Sequence, residues 1–144
     1  MESSTIKILW IDDDLGHLKL QPYIDELKGN QFDIIEVNNP DDVNEKLDSN
    51  KDIKGIILDI SMPTGENIDV TESKKGMRTG LILLRNLNMN KDFKNIKKIV
   101  FTIVEDEQVI NYCNDNNVAY LKKRDYLTDT FACEIKNILS GKNN

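Results

Sequence analysis

The sequence predicts an α/β domain built on one open parallel sheet. Five short runs rich in Ile, Val and Phe are separated by longer stretches with helical apolar spacing. The first, third and fourth runs are too continuously apolar for a sheet with one wet face, and parallel strands covered on both faces read this way. Alternation of strand and helix throughout the chain completes the prediction.

The elements follow in order. IKILWI (6 to 11) is the first strand and Asp12-Asp13-Asp14 follows at once. Residues 15 to 28 read as a helix, with Pro22 either kinking it or marking a late first turn. FDIIEV (32 to 37) is the second strand. Asn39-Pro40-Asp41-Asp42 has the signature of a helix start, with Asn as N-cap, Pro at the first position and acids in the first turn. Val43 and Leu47 of that helix are expected to face inward. IKGIILDI (53 to 60) is the third strand, and residues 64 to 79 read as a long polar loop before a helix over 80 to 89. IKKIVFTIV (96 to 104) is the fourth strand, and a helix over 105 to 115 opens with three acids, Glu105, Asp106 and Glu107. VAYL (118 to 121) is the fifth strand. In the last helix Leu127, Phe131, Ile135 and Ile138 form one apolar stripe, and the closing SGKNN is expected to fray. With right-handed crossovers, five such strands suit the flavodoxin-like order 2-1-3-4-5, with helices on both faces.

Size and charge narrow the function. At 144 residues the chain suits one domain, which buries roughly 70% of its unfolded surface. A formal charge of −6 argues against nucleic acid as the main partner, because phosphate backbones require a basic face. No run of about 18 apolar residues is present, so no membrane span is expected. MESSTIKILWIDDD lacks the basic and small-residue pattern of a signal peptide, so the expected location is the cytoplasm. Cys113 and Cys133 show no metal-ligand spacing and read as reduced core or near-core thiols. The single His17 reads as an ordinary helix residue.

In an open parallel sheet, ligands sit beyond the carboxyl ends of the strands. Strand one ends in Asp12-Asp13, strand three in Asp59, strand four near Thr102, and Lys122-Lys123 follow strand five. If the strands neighbour as expected, three acids, a hydroxyl and an ammonium converge. Crowded carboxylates raise one another's pKa and stay ionised when a hard divalent cation joins them. Mg²⁺ suits such a site, since it accepts one or two carboxylates, waters and a phosphate oxygen. A lysine and a hydroxyl opposite would hold further phosphoryl oxygens, and a carboxylate nucleophile would give an acyl phosphate.

At these residues the sequence resembles the receiver domain of two-component response regulators, over nearly the whole chain. WIDDD resembles the family's metal-binding acids, at Asp12 and Asp13. LDISMP resembles its phosphoacceptor loop, which makes Asp59 the acceptor and gives the Ser61 carbonyl to the metal. Thr102 matches the family's hydroxyl residue at the end of strand four. YLKK matches the fifth-strand motif, which selects Lys123 over Lys122, and Tyr120 stands where the family has an aromatic switch residue. Three departures stand out. The link from Met62-Pro63 to the helix-starting Gly80 is stretched by an insertion at about 64 to 79. Ile103 stands where a small residue is usual, and Arg124 where proline is usual.

The resemblance implies a stand-alone receiver domain over 1 to 144, without an output domain and not itself an enzyme. It would take a phosphoryl group from a histidine kinase or phosphotransfer protein onto Asp59, with Mg²⁺ or Mn²⁺ as cofactor. It would then switch a partner-binding face of helix four, strand five and helix five, which could also serve for dimerisation. The competing reading is a degenerate receiver that binds partners without phosphorylation. A phosphatase of the haloacid dehalogenase kind is disfavoured, because neither Asp12-Asp13-Asp14-Leu15-Gly16 nor Asp59-Ile60-Ser61 fits its D-x-D-x-T pattern. Flavin binding is disfavoured because the loop after strand one lacks a hydroxyl- and glycine-rich phosphate cradle.

Overall fold

The computed structural model describes residues 5–62, 65 and 78–141. Its five strands are β1 (Ile6–Ile11), β2 (Phe32–Val37), β3 (Gly55–Leu58), β4 (Lys97–Thr102) and β5 (Ala119–Lys122). They form one sheet in the order β2-β1-β3-β4-β5, and every pairing is parallel. The helices are α1 (Gln21–Gly29), α2 (Val43–Ser49), α3 (Thr79–Met89), α4 (Glu107–Asp115) and α5 (Thr128–Ser140). This is the open flavodoxin-like sheet that the strand pattern predicts. The expected insertion at about 64 to 79 lies outside the described residues, apart from Gly65, Arg78 and Thr79.

Both faces of the sheet are covered, which explains the continuous apolar runs. Along β1, Leu9 and Ile11 join one cluster while Ile8 and Trp10 join the other, as a two-residue side-chain period requires. The first cluster takes Val43 and Leu47 of α2, Leu81, Leu84 and Leu87 of α3, and Val109 and Cys113 of α4. The second takes Ile24 and Leu27 of α1 and Phe131, Ile135 and Ile138 of α5. Phe101 stacks on Phe131 at 4.1 Å between ring centroids, and Trp10 meets Phe101 edge-on at 6.1 Å. Such pairs add about 0.5–1.5 kcal/mol each beyond their area.

Several boundaries differ from the sequence expectation, each for a local reason. The helix expected from residue 15 begins at Gln21, because Pro22 belongs in a first turn, where its missing N–H costs nothing. His17 therefore lies in an exposed turn and not in a helix. Asn39 does cap, its side chain accepting from the Asp41 N–H at 2.9 Å, but the turn it opens is a short 3₁₀ segment, Pro40–Asp42, ahead of α2. Leu127 is 73% exposed and precedes α5, so the apolar stripe begins at Phe131. Cys113 is buried, whereas Cys133 is exposed on α5 and does not belong to the core.

Gly80, in the first turn of α3, is where the fold touches the Asp59 loop most closely. A Cβ at Gly80 would lie 2.0 Å from the Asp59 carbonyl oxygen and 2.6 Å from the Ile60 Cα. The Gly80 N–H donates to the Ile60 carbonyl at 2.8 Å, and the Thr79 hydroxyl donates to the Met62 carbonyl at 2.6 Å. The helix start and the loop are thus locked backbone against backbone. Gly80→Ala should lower stability by about 3 kcal/mol or more, since neither backbone can yield as a side chain would. Gly29→Ala, with nothing within 4 Å of the added Cβ, should be neutral or stabilising by up to about 1 kcal/mol. Thermal denaturation of the two variants checks the contrast, and equal effects would refute it.

Candidate functional site

Parallel pairing alone brings the acids together. Ile11 is in register with Leu58, so Asp12 and Asp59 leave adjacent strands side by side. The Asp59 N–H donates to the Ile11 carbonyl at 3.0 Å and the Asp12 N–H to the Val37 carbonyl at 3.0 Å, which continues the ladder one residue past each strand. On the other side, Thr102 is in register with Lys122, and Lys123 opens a 3₁₀ turn, Lys123–Asp125, one residue further on.

The Lys123 ammonium reaches across to both acids. Its Nζ donates to Asp12 Oδ2 at 2.9 Å and to Asp59 Oδ2 at 3.1 Å. All three side chains are largely shielded, at 17% exposure for Lys123, 0% for Asp12 and 7% for Asp59. The ammonium also stands 6.0 Å from the centre of the Phe101 ring. Lys122 turns instead to Glu105, at 3.7 Å. The remaining acid oxygens are held locally: Asp12 Oδ1 accepts from the Asp14 N–H at 2.9 Å and Asp59 Oδ1 from the Ile60 N–H at 2.7 Å.

The charges do not balance. Asp12 is raised to about 6, first by burial and then by the neighbouring Asp59 carboxylate, despite its bond to Lys123. Asp13 is raised as well, by burial and by Asp14. Burial alone would depress Lys123, yet Asp59 and Asp12 together raise it. The ion pairs are therefore favourable, but one ammonium does not compensate the burial of Asp12 beside a second acid.

Asp12, Asp13 and Asp14 offer carboxylate oxygens that lie within 4.8 Å of one another. An all-oxygen donor set with excess negative charge fits a hard divalent cation such as Mg²⁺ or Mn²⁺. Asp14 is a member of this cluster that the sequence reading left out, although WIDDD displays it. Asp13, Asp14, Asp59, Ser61 and Lys123 line one open cleft of about 490 Å³, which Leu20, Tyr23, Phe101 and Ile103 wall on the apolar side. Lys19 and Arg124 complete its lining. Lys19 and the aromatic wall of Tyr23 and Phe101 carry no local sequence signal, since the start of α1 and strand β4 bring them together only in space.

Thr102 is fully buried at the end of β4, and its hydroxyl accepts the Val104 N–H at 3.1 Å. Tyr120 is half-buried against the same cluster as α4, and its hydroxyl donates to the Val104 carbonyl. Both side chains thus hold a single residue of the β4–α4 loop. Ile103, next to them, is 70% exposed at the cleft mouth and does not plug it.

The chain is similar in fold to solved receiver-domain structures. The chain superposes with a TM-score of 0.73 on a CheY-like response regulator receiver domain protein from Methanospirillum hungatei JF-1, at 19% identity over 96% of each chain. It matches the phosphorylated cyanobacterial phytochrome response regulator RcpA with a TM-score of 0.73, at 16% identity over 98% of each chain. A signal receiver domain of a signal transduction histidine kinase from Syntrophus aciditrophicus gives a TM-score of 0.71 at 22% identity, over 95% of this chain and 92% of that one. No family model and no curated protein matches the sequence. The likeness thus establishes the receiver-domain fold. Among the described residues no helix is long and apolar enough to cross a membrane.

The raised Asp12 sets a pH dependence for the cation-free protein. Folded Asp12 takes up its proton near pH 6, whereas the unfolded chain waits until the model-peptide value of 3.8. Between those values the folded state binds more protons, so stability falls as pH rises from about 4 to about 6. The loss amounts to about 3 kcal/mol for a shift of this size. Urea denaturation in EDTA across this range should show the slope, and Asp12→Asn should flatten it and be more stable at pH 7. A variant with the wild-type slope would contradict the assignment.

Proposed function

We propose that the chain is a phosphoacceptor module of a phosphorelay, which receives a phosphoryl group on Asp59. The observation that carries this reading is Lys123 Nζ placed between Asp12 and Asp59 inside an acidic cleft, in a receiver-domain fold. A lysine so placed neutralises the nucleophile's neighbourhood and stands ready to hold an oxygen of the incoming group. Asp59 is anchored on one oxygen by the Ile60 N–H, and the Gly80 contact fixes the loop behind it.

In the transfer, an Asp59 carboxylate oxygen forms a bond to phosphorus as the donor's P–N bond breaks, for a phosphohistidine donor. The imidazole nitrogen keeps the bonding electron pair and takes up a proton from solvent. The product is an acyl phosphate on Asp59. Bound by Asp12, Asp13 and Asp59 and by the Ser61 carbonyl, with Asp14 alongside, Mg²⁺ or Mn²⁺ would supply the positive charge that the crowded acids lack. The donor is a histidine kinase or a phosphotransfer protein.

The new phosphoryl oxygens compete for Thr102. When its hydroxyl turns to donate to them, the Val104 N–H loses its acceptor. Val104 also holds the Tyr120 hydroxyl through its carbonyl, so of these two bonds on the loop that leads into α4 only the one to Tyr120 remains, and a shift of the loop is passed to Tyr120. The readout surface is then the face of α4, β5 and α5, by partner binding or self-association. Lys123 and Thr102 act at the transferred group, and Tyr120 positions the response.

Intact mass after incubation with acetyl phosphate and Mg²⁺ tests the reading. The wild type should gain one phosphoryl group, and Asp59→Asn, folded by circular dichroism, should gain none. EDTA should suppress the gain. No gain by the wild type in Mg²⁺ would favour a binding module that keeps the fold without the chemistry.

A further inference from the structure

The cleft presents a difficulty to any anionic donor. Asp13, Asp14 and Asp59 line it, and Asp12 lies beside them. Lys123, the cation nearest Asp59, is already engaged by two carboxylates. An approaching phosphoryl group, itself multiply charged, is therefore repelled before it reaches Lys123 and a bound cation, and positive charge elsewhere on the cleft lining would offset that repulsion.

Lys19 and Arg124 both line the cleft, and of the two Arg124 offers a planar guanidinium. It follows Lys123 directly in the same 3₁₀ turn. Its guanidinium pairs with the Glu105 carboxylate, and its side chain remains 63% exposed. Glu105 also receives Lys122 at 3.7 Å. Glu105 is itself 41% exposed, so this pairing is readily exchanged. If Arg124 leaves for another anion, Glu105 retains Lys122. A guanidinium suits this exchange, because its planar fork matches two oxygens of a phosphoryl group and its charge is permanent.

We infer that Arg124, held in reserve by Glu105, is a donor-binding residue of this site and selects phosphodonors of high negative charge. The inference rests on the phosphoacceptor reading of Asp59. In the assisted reaction with acetyl phosphate, the Asp59 oxygen forms a bond to phosphorus, the bond from phosphorus to the acetyl oxygen breaks, and acetate departs with the electron pair. Arg124 transfers nothing. It raises the local concentration of the donor and orients its oxygens toward Asp59.

Two small donors separate this role from a structural one. Acetyl phosphate is a dianion at neutral pH, whereas phosphoramidate carries less net negative charge because its nitrogen is protonated. Phosphorylation rate constants are measured by intact mass at fixed Mg²⁺, subsaturating donor and low salt, for wild type, Arg124→Ala and Glu105→Gln. Arg124→Ala should be about tenfold slower with acetyl phosphate, within the range of electrostatic steering, and less than about twofold slower with phosphoramidate. The acetyl phosphate deficit should shrink as salt is raised. Glu105→Gln, which frees the guanidinium, should be faster than wild type with acetyl phosphate. Equal losses with both donors, or no loss with either, would overturn the role of Arg124 while leaving Asp59 as acceptor. A wild type that takes a phosphoryl group from neither donor would overturn the acceptor reading itself, and this inference with it.

Discussion

Like charges gathered at the carboxyl edge of a parallel sheet are the constraint on which the rest of the structure depends. Asp12 and Asp59 leave neighbouring strands in register and share one ammonium. Burying two acids against a single cation is unfavourable, and Asp12 registers the cost in its raised pKa. Removing Lys123 without replacement would leave two uncompensated buried carboxylates. The site therefore exists only because the fold around it is rigid enough to hold repelling groups together.

That rigidity has identifiable sources. The two apolar clusters clamp the sheet from both faces, and the stacked Phe101 and Phe131 lie on the face that also carries the cleft's aromatic wall. The backbone of Gly80 presses against Asp59 and Ile60 so closely that no side chain fits between them. Arg78, just ahead of α3, donates to Asp106 and Gln108 at the start of α4. The first turns of both helices are consequently tied together beside the loop that carries Asp59. On the other side of the site, the β4–α4 loop is held at Val104 by the side chains of Thr102 and Tyr120.

Much of this was legible in the sequence. Continuous apolar runs read correctly as doubly covered parallel strands, and the alternation of elements gave the strand order. Residues singled out at strand ends do meet: Lys123 donates to both Asp12 and Asp59, and Thr102 ends the neighbouring strand β4. Helix starts were less legible, because Pro22 suited two positions and Leu127 continued the apolar spacing of α5 while lying outside it. Asp14 is visible in WIDDD, whereas Lys19 and the aromatic wall were not legible, since their membership depends on how turns and neighbouring elements pack. The steric demand at Gly80 was equally hidden, because a glycine at a helix start announces neither its neighbour nor the distance.

The central claim is that Asp59, and no other acid in the cleft, is the nucleophile. Borohydride reduction of the phosphorylated protein followed by peptide mass spectrometry tests it most directly, because hydride converts an acyl phosphate to the alcohol and marks the residue that carried it. The account predicts homoserine at position 59 alone. Homoserine at position 12, 13 or 14, or a phosphoryl group retained on Ser61 after reduction, would contradict it.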